Sequence, residues 1–186
     1  MRIAVYTNIL RVRVLAYRCA TYMEKPEVYV CSVSGMDDWN AVRADADLHL
    51  FLWMGTGLDN EFLKKASRFL QKHRIPHLIV VDNAEHDKVT YGFSEEQIRT
   101  AWAYFRYDGE ENMRNLFLWL GREFGGLSCT AEPPAPLAWN GVYHPNWAGD
   151  PEDIAGYLAS HYTEGRPTVG VIFYRSEWIT GDFTYH

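Results

Sequence analysis

The sequence predicts an α/β protein: a doubly wound, mainly parallel sheet with added helices, then a linker and the first strand of a following domain. Three observations carry this. Short segments rich in β-branched and aromatic residues recur between positions 2 and 82, patterns of helical period separate them, and a proline-rich stretch, EPPAPL at 132–137, interrupts regular structure behind them. A chain of 186 residues with 47% hydrophobic and 15% aromatic content has the material for a substantial core.

Residues 2–7 (RIAVYT), 28–33 (VYVCSV), 47–53 (DLHLFLW) and 77–82 (HLIVVD) read as strands. Ile9 to Met23 and Asp38 to Ala44 fill the first two gaps with helix. In the third gap Asp59 is the expected cap of a helix whose Phe62, Ala66, Phe69 and Leu70 share one face, with His73 and Arg74 in its last turn and Pro76 beyond its end. The resulting β-α-β-α-β-α-β alternation implies a parallel sheet covered on both faces, in a flavodoxin- or Rossmann-like arrangement.

Two further helices follow. Ser94 and Gln97 form a capping box ahead of Ile98, Ala101, Trp102 and Phe105, and Met113, Leu116, Phe117 and Leu120 supply the second apolar stripe. Gly109 marks their junction, and Gly125-Gly126 ends the second. Prolines in EPPAPL forbid regular helix and favour stiff coil, so the chain divides into an α/β domain over 1–130, a linker over 131–149 and a third region over 150–186. There Asp150-Pro151 starts a helix carrying Ile154, Tyr157, Leu158 and His161, closed by Gly165, and Thr168 to Tyr174 forms a strand. With no helix following to cover that strand, the chain is expected to stop inside its next domain.

Composition narrows the function. Lys and Arg total 18 against 24 Asp and Glu, and a net charge of −6 disfavours a nucleic-acid partner. Cys19, Cys31 and Cys129 form no CxxC pair and read as reduced thiols of a cytoplasmic protein. No apolar run reaches the length of a membrane span. The GTG at 55–57 lacks the further glycine of a dinucleotide fingerprint, since position 60 is Asn, and reads as a plain turn. Thr7, Asn8, Ser34, Gly35, Thr56, Asp82 and Asn83 collect at the carboxyl ends of the strands, where open α/β sheets bind ligands and where loops are polar in any case. Among the histidines there is no HExxH pair; His49, between leucines and aromatics, reads as a core or edge histidine. His144 precedes Pro145, which extends its backbone and can present the ring outward from a rigid turn. No Walker or nucleophile-elbow motif is present.

Gly141-Val142-Tyr143-His144-Pro145 resembles the GxYHP motif of the large subunits of cobaltochelatase and magnesium chelatase. PTVGVIFYRSEWITGD at 167–182 resembles the same family's strand-loop signature, and YDGEEN at 107–112 its Gly-x-x-Asn segment before an apolar helix. The chain departs from that pattern at Glu177, where His is common, and at Asp108, which replaces a usual Gly. The resemblance implies an amino-terminal part of a cobaltochelatase large subunit: a parent enzyme that inserts cobalt into a corrinoid precursor, hydrogenobyrinic acid a,c-diamide, in cobalamin synthesis. ATP and Mg would be handled by separate ATPase subunits, consistent with the missing Walker motif. It further implies that Tyr143, His144, Arg175, Ser176 and Asp182 face the substrate, with His144 as a metal contact, and that this chain binds no cofactor and is not catalytic alone. Alternatives are a magnesium-chelatase homologue and a non-enzymatic flavodoxin-like module that binds a ligand or partner.

Overall fold

The computed structural model describes residues 1–21, 26–32, 42–43, 45–53, 60–81, 90–144, 146–175 and 178. They fall into two compact units, Met1–Ala135 and Pro136–His186.

The first unit is built on four parallel strands, β1 (Arg2–Thr7), β2 (Glu27–Ser32), β3 (Leu48–Trp53) and β4 (His77–Val81), in the order β2-β1-β3-β4. The strand period of two sorts their side chains between the faces. Ile3, Val5, Leu48, Leu50, Leu52, Leu78 and Val80 pack with helices α1 (Leu10–Thr21), α3 (Glu95–Tyr107) and α4 (Glu110–Gly125). Ala4, Tyr6, Phe51, Trp53, Ile79 and Val81 pack on the other side with α2 (Glu61–Lys72). Helices on both faces are why β3 and β4 are buried along their whole length. The doubly wound α/β class expected from the sequence is therefore the class observed. The expected helix over 38–44 lies almost wholly outside the described residues.

Local chemistry sets the helix ends. Asn60, not Asp59, caps α2: its side-chain oxygen accepts from the backbone amides of Phe62 and Leu63 at 2.9 and 3.3 Å. The Ser94–Gln97 capping box forms as expected. Gly126, left-handed at φ +61°, ends α4, with its N–H donating to the Gly121 carbonyl.

The turn between α3 and α4 is unusual. Asp108 has φ +63° and ψ −174°, a region that glycine alone enters readily, and Gly109 follows at φ +86°. Several bonds hold Asp108 there. Its backbone N–H donates to the Tyr104 carbonyl, its carboxylate accepts from Gly109 N at 2.8 Å and faces Arg11 at 3.7 Å, and its own carbonyl accepts from Asn112 Nδ2 at 2.7 Å. This is the position where the related motif usually has Gly.

The boundary expected at 130 falls inside the first unit, because two asparagines of α4 hold the segment that follows. Buried Asn112 donates to the Ala135 carbonyl at 2.8 Å and accepts from Ala135 N at 2.9 Å. Asn115 accepts from Glu132 N at 3.0 Å, and the Tyr104 hydroxyl donates to the Glu132 carbonyl at 2.5 Å. A proline-rich segment cannot bond itself into helix or sheet, so side-chain amides satisfy its backbone instead.

The second unit holds one described helix, α5 (Ile154–His161), capped by Asp153 rather than Asp150. Asp150 instead accepts from Glu152 N through its carboxylate, closing a turn ahead of the helix. The helix stops at His161, short of Gly165. The expected strand over 168–174 does not form: Val169 is 86% and Ile172 99% exposed, and no ladder is present there among the described residues. A strand exists only through its neighbour's backbone hydrogen bonds, and among the described residues no backbone ladder joins this stretch to a neighbour.

Candidate functional site

The second unit gathers the chemistry that the sequence singled out. A cleft of about 300 Å³ opens between the 139–143 segment and residues 171–173, 175 and 178, with Trp139, Tyr143, Phe173, Arg175 and Trp178 among its walls. The rings of Tyr143 and Phe173 meet edge to face, centroids 6.2 Å apart, which fixes the two segments against each other. Arg175 reaches back across them: Nε donates to the Ala138 carbonyl at 2.6 Å, Nη2 to the Leu137 carbonyl at 3.3 Å, and the guanidinium lies 4.8 Å from the centre of the Trp139 ring. Arg175 thus packs on Trp139 and places a permanent positive charge in a cleft lined mostly by aromatic and aliphatic residues.

Of the expected substrate-facing residues, Tyr143 and Arg175 line this cleft, and His144 does not. Ser176 and Asp182 lie outside the described residues.

His144 belongs to a second cluster. Its ring centroid lies 4.8 Å from that of His161 and 5.9 Å from that of Tyr157. Tyr157 and His161, one helical turn apart on α5, stack at 4.7 Å, and Trp147 meets both edge to face. Backbone partners fix the ring nitrogens. Asn146 N donates to His144 Nδ1 at 3.2 Å, so the lone pair of that atom is engaged and the neutral ring carries its proton on Nε2. His161 Nδ1 lies 3.2 Å from the Tyr157 carbonyl, which only accepts, so Nδ1 holds the proton and Nε2 the lone pair. Sequence reasoning placed His161 on a helix face but missed its pairing with His144. The spacing of Tyr157 and His161, four residues apart like a stacking pair, was the available signal.

The first unit carries a separate polar group within its core. His49 and His77, partners in the β3–β4 register, are both fully buried. The Tyr6 hydroxyl lies 3.2 Å from His49 Nδ1 and accepts from Arg43 N at 2.8 Å, so its proton goes to the imidazole. His49 Nε2 has no hydrogen-bond partner among the described residues, and burial, with His77 alongside, pulls the pKa of His49 from 6.5 down to about 4. Ser67 Oγ and the Ile75 carbonyl engage His77. The two rings are core histidines, as His49 was read. Burial likewise pushes the Cys19 thiol up to about 12, which leaves it unreactive. The carboxyl ends of β2, β3 and β4 run into segments outside the described residues; Thr7, at the end of β1, is buried and accepts from Ile9 N. Among the described residues no group of three or more His, Cys, Asp or Glu side chains is arranged to hold a metal ion, and no helix is long and apolar enough to cross a membrane.

Residues 102–186 match the CobN/Magnesium Chelatase family model. An uncharacterized protein of Methanocaldococcus jannaschii is 32% identical over 84 residues, which are 44% of this chain and 7% of that protein. The catalytic subunit of cobaltochelatase from Mycobacterium tuberculosis superposes on 99% of this chain with a TM-score of 0.68 at 14% identity, the matched part being 14% of its own length. The chain therefore spans only a small fraction of the proteins it is similar to, and at that identity the structural likeness establishes the fold. Residues 102–186 are thus similar to the CobN/magnesium chelatase family, and the fold is one shared with a cobaltochelatase catalytic subunit.

Proposed function

We propose that this chain is part of the large subunit of an ATP-dependent cobaltochelatase, which inserts cobalt into a corrinoid precursor such as hydrogenobyrinic acid a,c-diamide, and that it contributes substrate binding rather than catalysis. The single observation that carries this reading is the aromatic cleft with Arg175 at its wall, built from the family-matched segment. A tetrapyrrole presents flat apolar faces and a rim of carboxylates and amides. Trp139, Tyr143 and Phe173 supply aromatic surface for such a face, and the guanidinium supplies a charge for the rim.

A cleft of about 300 Å³ covers an edge of a macrocycle and does not enclose it. Insertion needs desolvation of the ion, distortion of the ring and removal of two pyrrole protons inside a closed site. Those tasks fall to other parts of the enzyme, and ATP hydrolysis to separate subunits. The further assignments of Ser176 and Asp182 to the substrate, and the cytoplasmic location, belong to the same proposal. Titrating the tag-free chain with the corrinoid precursor and with a porphyrin, following tryptophan emission, tests it. Saturable quenching that Arg175→Ala weakens is the expected result; the absence of saturation with any tetrapyrrole contradicts the binding role.

A further inference from the structure

We infer that His144 and His161 form an open two-imidazole site for a borderline divalent cation, and that His161 is its anchoring ligand. The argument starts from the protons. A metal-binding imidazole needs a lone pair on one nitrogen and usually donates from the other to a carbonyl or carboxylate. His161 already has that arrangement: Nδ1–H on the Tyr157 carbonyl, Nε2 bare. His144 holds the complementary tautomer, and becomes a ligand by moving its proton from Nε2 to Nδ1. The cost is the hydrogen bond from the backbone N–H of Asn146, which would then face another N–H and has to turn to water, as the exposure of Asn146 permits.

The spacing fits. Two imidazoles sharing one ion through nitrogens at about 2.1 Å, near the tetrahedral angle, set their ring centroids roughly 5 Å apart. The observed separation is 4.8 Å. Both rings are half-buried, so the ion has access from solvent. The surroundings favour a cation. Trp147, which meets the His161 ring edge to face, donates from Nε1 to the Asp150 carbonyl at 3.3 Å and so ties the acidic 150–153 turn to the aromatic cluster. Imidazole pairs select zinc, cobalt, nickel and copper over magnesium and calcium, which prefer oxygen. With two protein ligands and the remaining positions left to water, the site suits an ion in transit rather than a structural one. Its use as an entry point for the metal substrate rests on the chelatase reading. The binding itself does not.

Long-range proton–nitrogen spectra of the histidines in the tag-free chain provide the test, with zinc as a diamagnetic probe. Before zinc, His161 should show a bare Nε2 and His144 a protonated one; the reverse assignment overturns the inference. One equivalent of zinc should move the Nε2 resonances of both residues and leave His49 and His77 in place, and cobalt should broaden the same two signals. His161→Gln should weaken zinc binding at least about tenfold. Unmoved imidazole signals, shifts centred on His73, or unchanged affinity in His161→Gln would each refute it. The readout involves no tetrapyrrole, so its failure leaves the corrinoid titration standing, and failure of that titration leaves this result intact.

Discussion

Buried His49 makes the stability of the first unit depend on pH in a calculable way. The ring is fully buried, its Nε2 has no partner among the described residues, and its pKa falls from 6.5 to about 4. Between those values the unfolded chain binds a proton that the folded chain refuses, so stability is full above pH 6.5 and declines as the pH falls toward 4. Each pH unit in that window costs about 1.4 kcal/mol, which gives a loss of about 2 kcal/mol between neutral pH and pH 5. His49→Leu removes the titration while keeping a side chain of similar bulk. At pH 7.5 the variant should lie within about 1 kcal/mol of wild type, since it loses the bond from Tyr6 but also discards an unsatisfied polar atom. At pH 5 it should be the more resistant of the two. Urea unfolding followed by circular dichroism reads the difference as a midpoint shift of roughly 1 M. His77 is present in both proteins, so the double difference isolates His49. Equal losses of stability in the two proteins between pH 7.5 and pH 5 would refute the reasoning.

The α3–α4 turn and the segment it supports offer two more tests. Asp108→Ala and Asp108→Gly both lose the contacts to Arg11 and Gly109 N, but only glycine relieves the backbone at φ +63°, so the glycine variant should be the more stable by about 1 kcal/mol or more in thermal or urea unfolding. The opposite order, which ordinary chain entropy predicts, would contradict the strain. Asn112→Asp turns an amide that donates to two carbonyls into a carboxylate facing both, and should cost about 3 kcal/mol while raising amide exchange at Ala135; unchanged protection there would show that the asparagine does not hold the segment.

What the sequence reveals and what it hides follow the range of the interactions involved. The alternation of β-branched runs with amphipathic stretches depends on local period, and it located β1 to β4 and α1 to α4 closely. The Ser94–Gln97 box and Gly126 are local as well. By contrast, Asp59, Asp150 and Gly165 are good boundary residues that lost to Asn60, Asp153 and Tyr162, because several candidates stood within one turn. The strand expected at 168–174 has the right composition, but a ladder needs a neighbour, and composition says nothing about one. The site was partly legible. Tyr143 and Arg175 stood out by resemblance and do share a cleft, whereas Trp139 and Trp178 went unremarked as its walls because contacts across 30 or more residues leave no periodic trace. The same holds for His161. Asp108 is the instructive departure: a residue that looked like an irregularity in a motif sits where the backbone requires a positive φ.

The central claim is that the family-matched segment binds a tetrapyrrole through its aromatic cleft. Amide and indole chemical shifts of the isotope-labelled chain, recorded as the corrinoid precursor is added, test it most directly. The account predicts progressive, saturable changes at Trp139, Tyr143, Phe173, Arg175 and Trp178, with the strands of the first unit unmoved. Changes confined to Thr7, Asn8 and the other carboxyl ends of the sheet, or none at any residue, would contradict it.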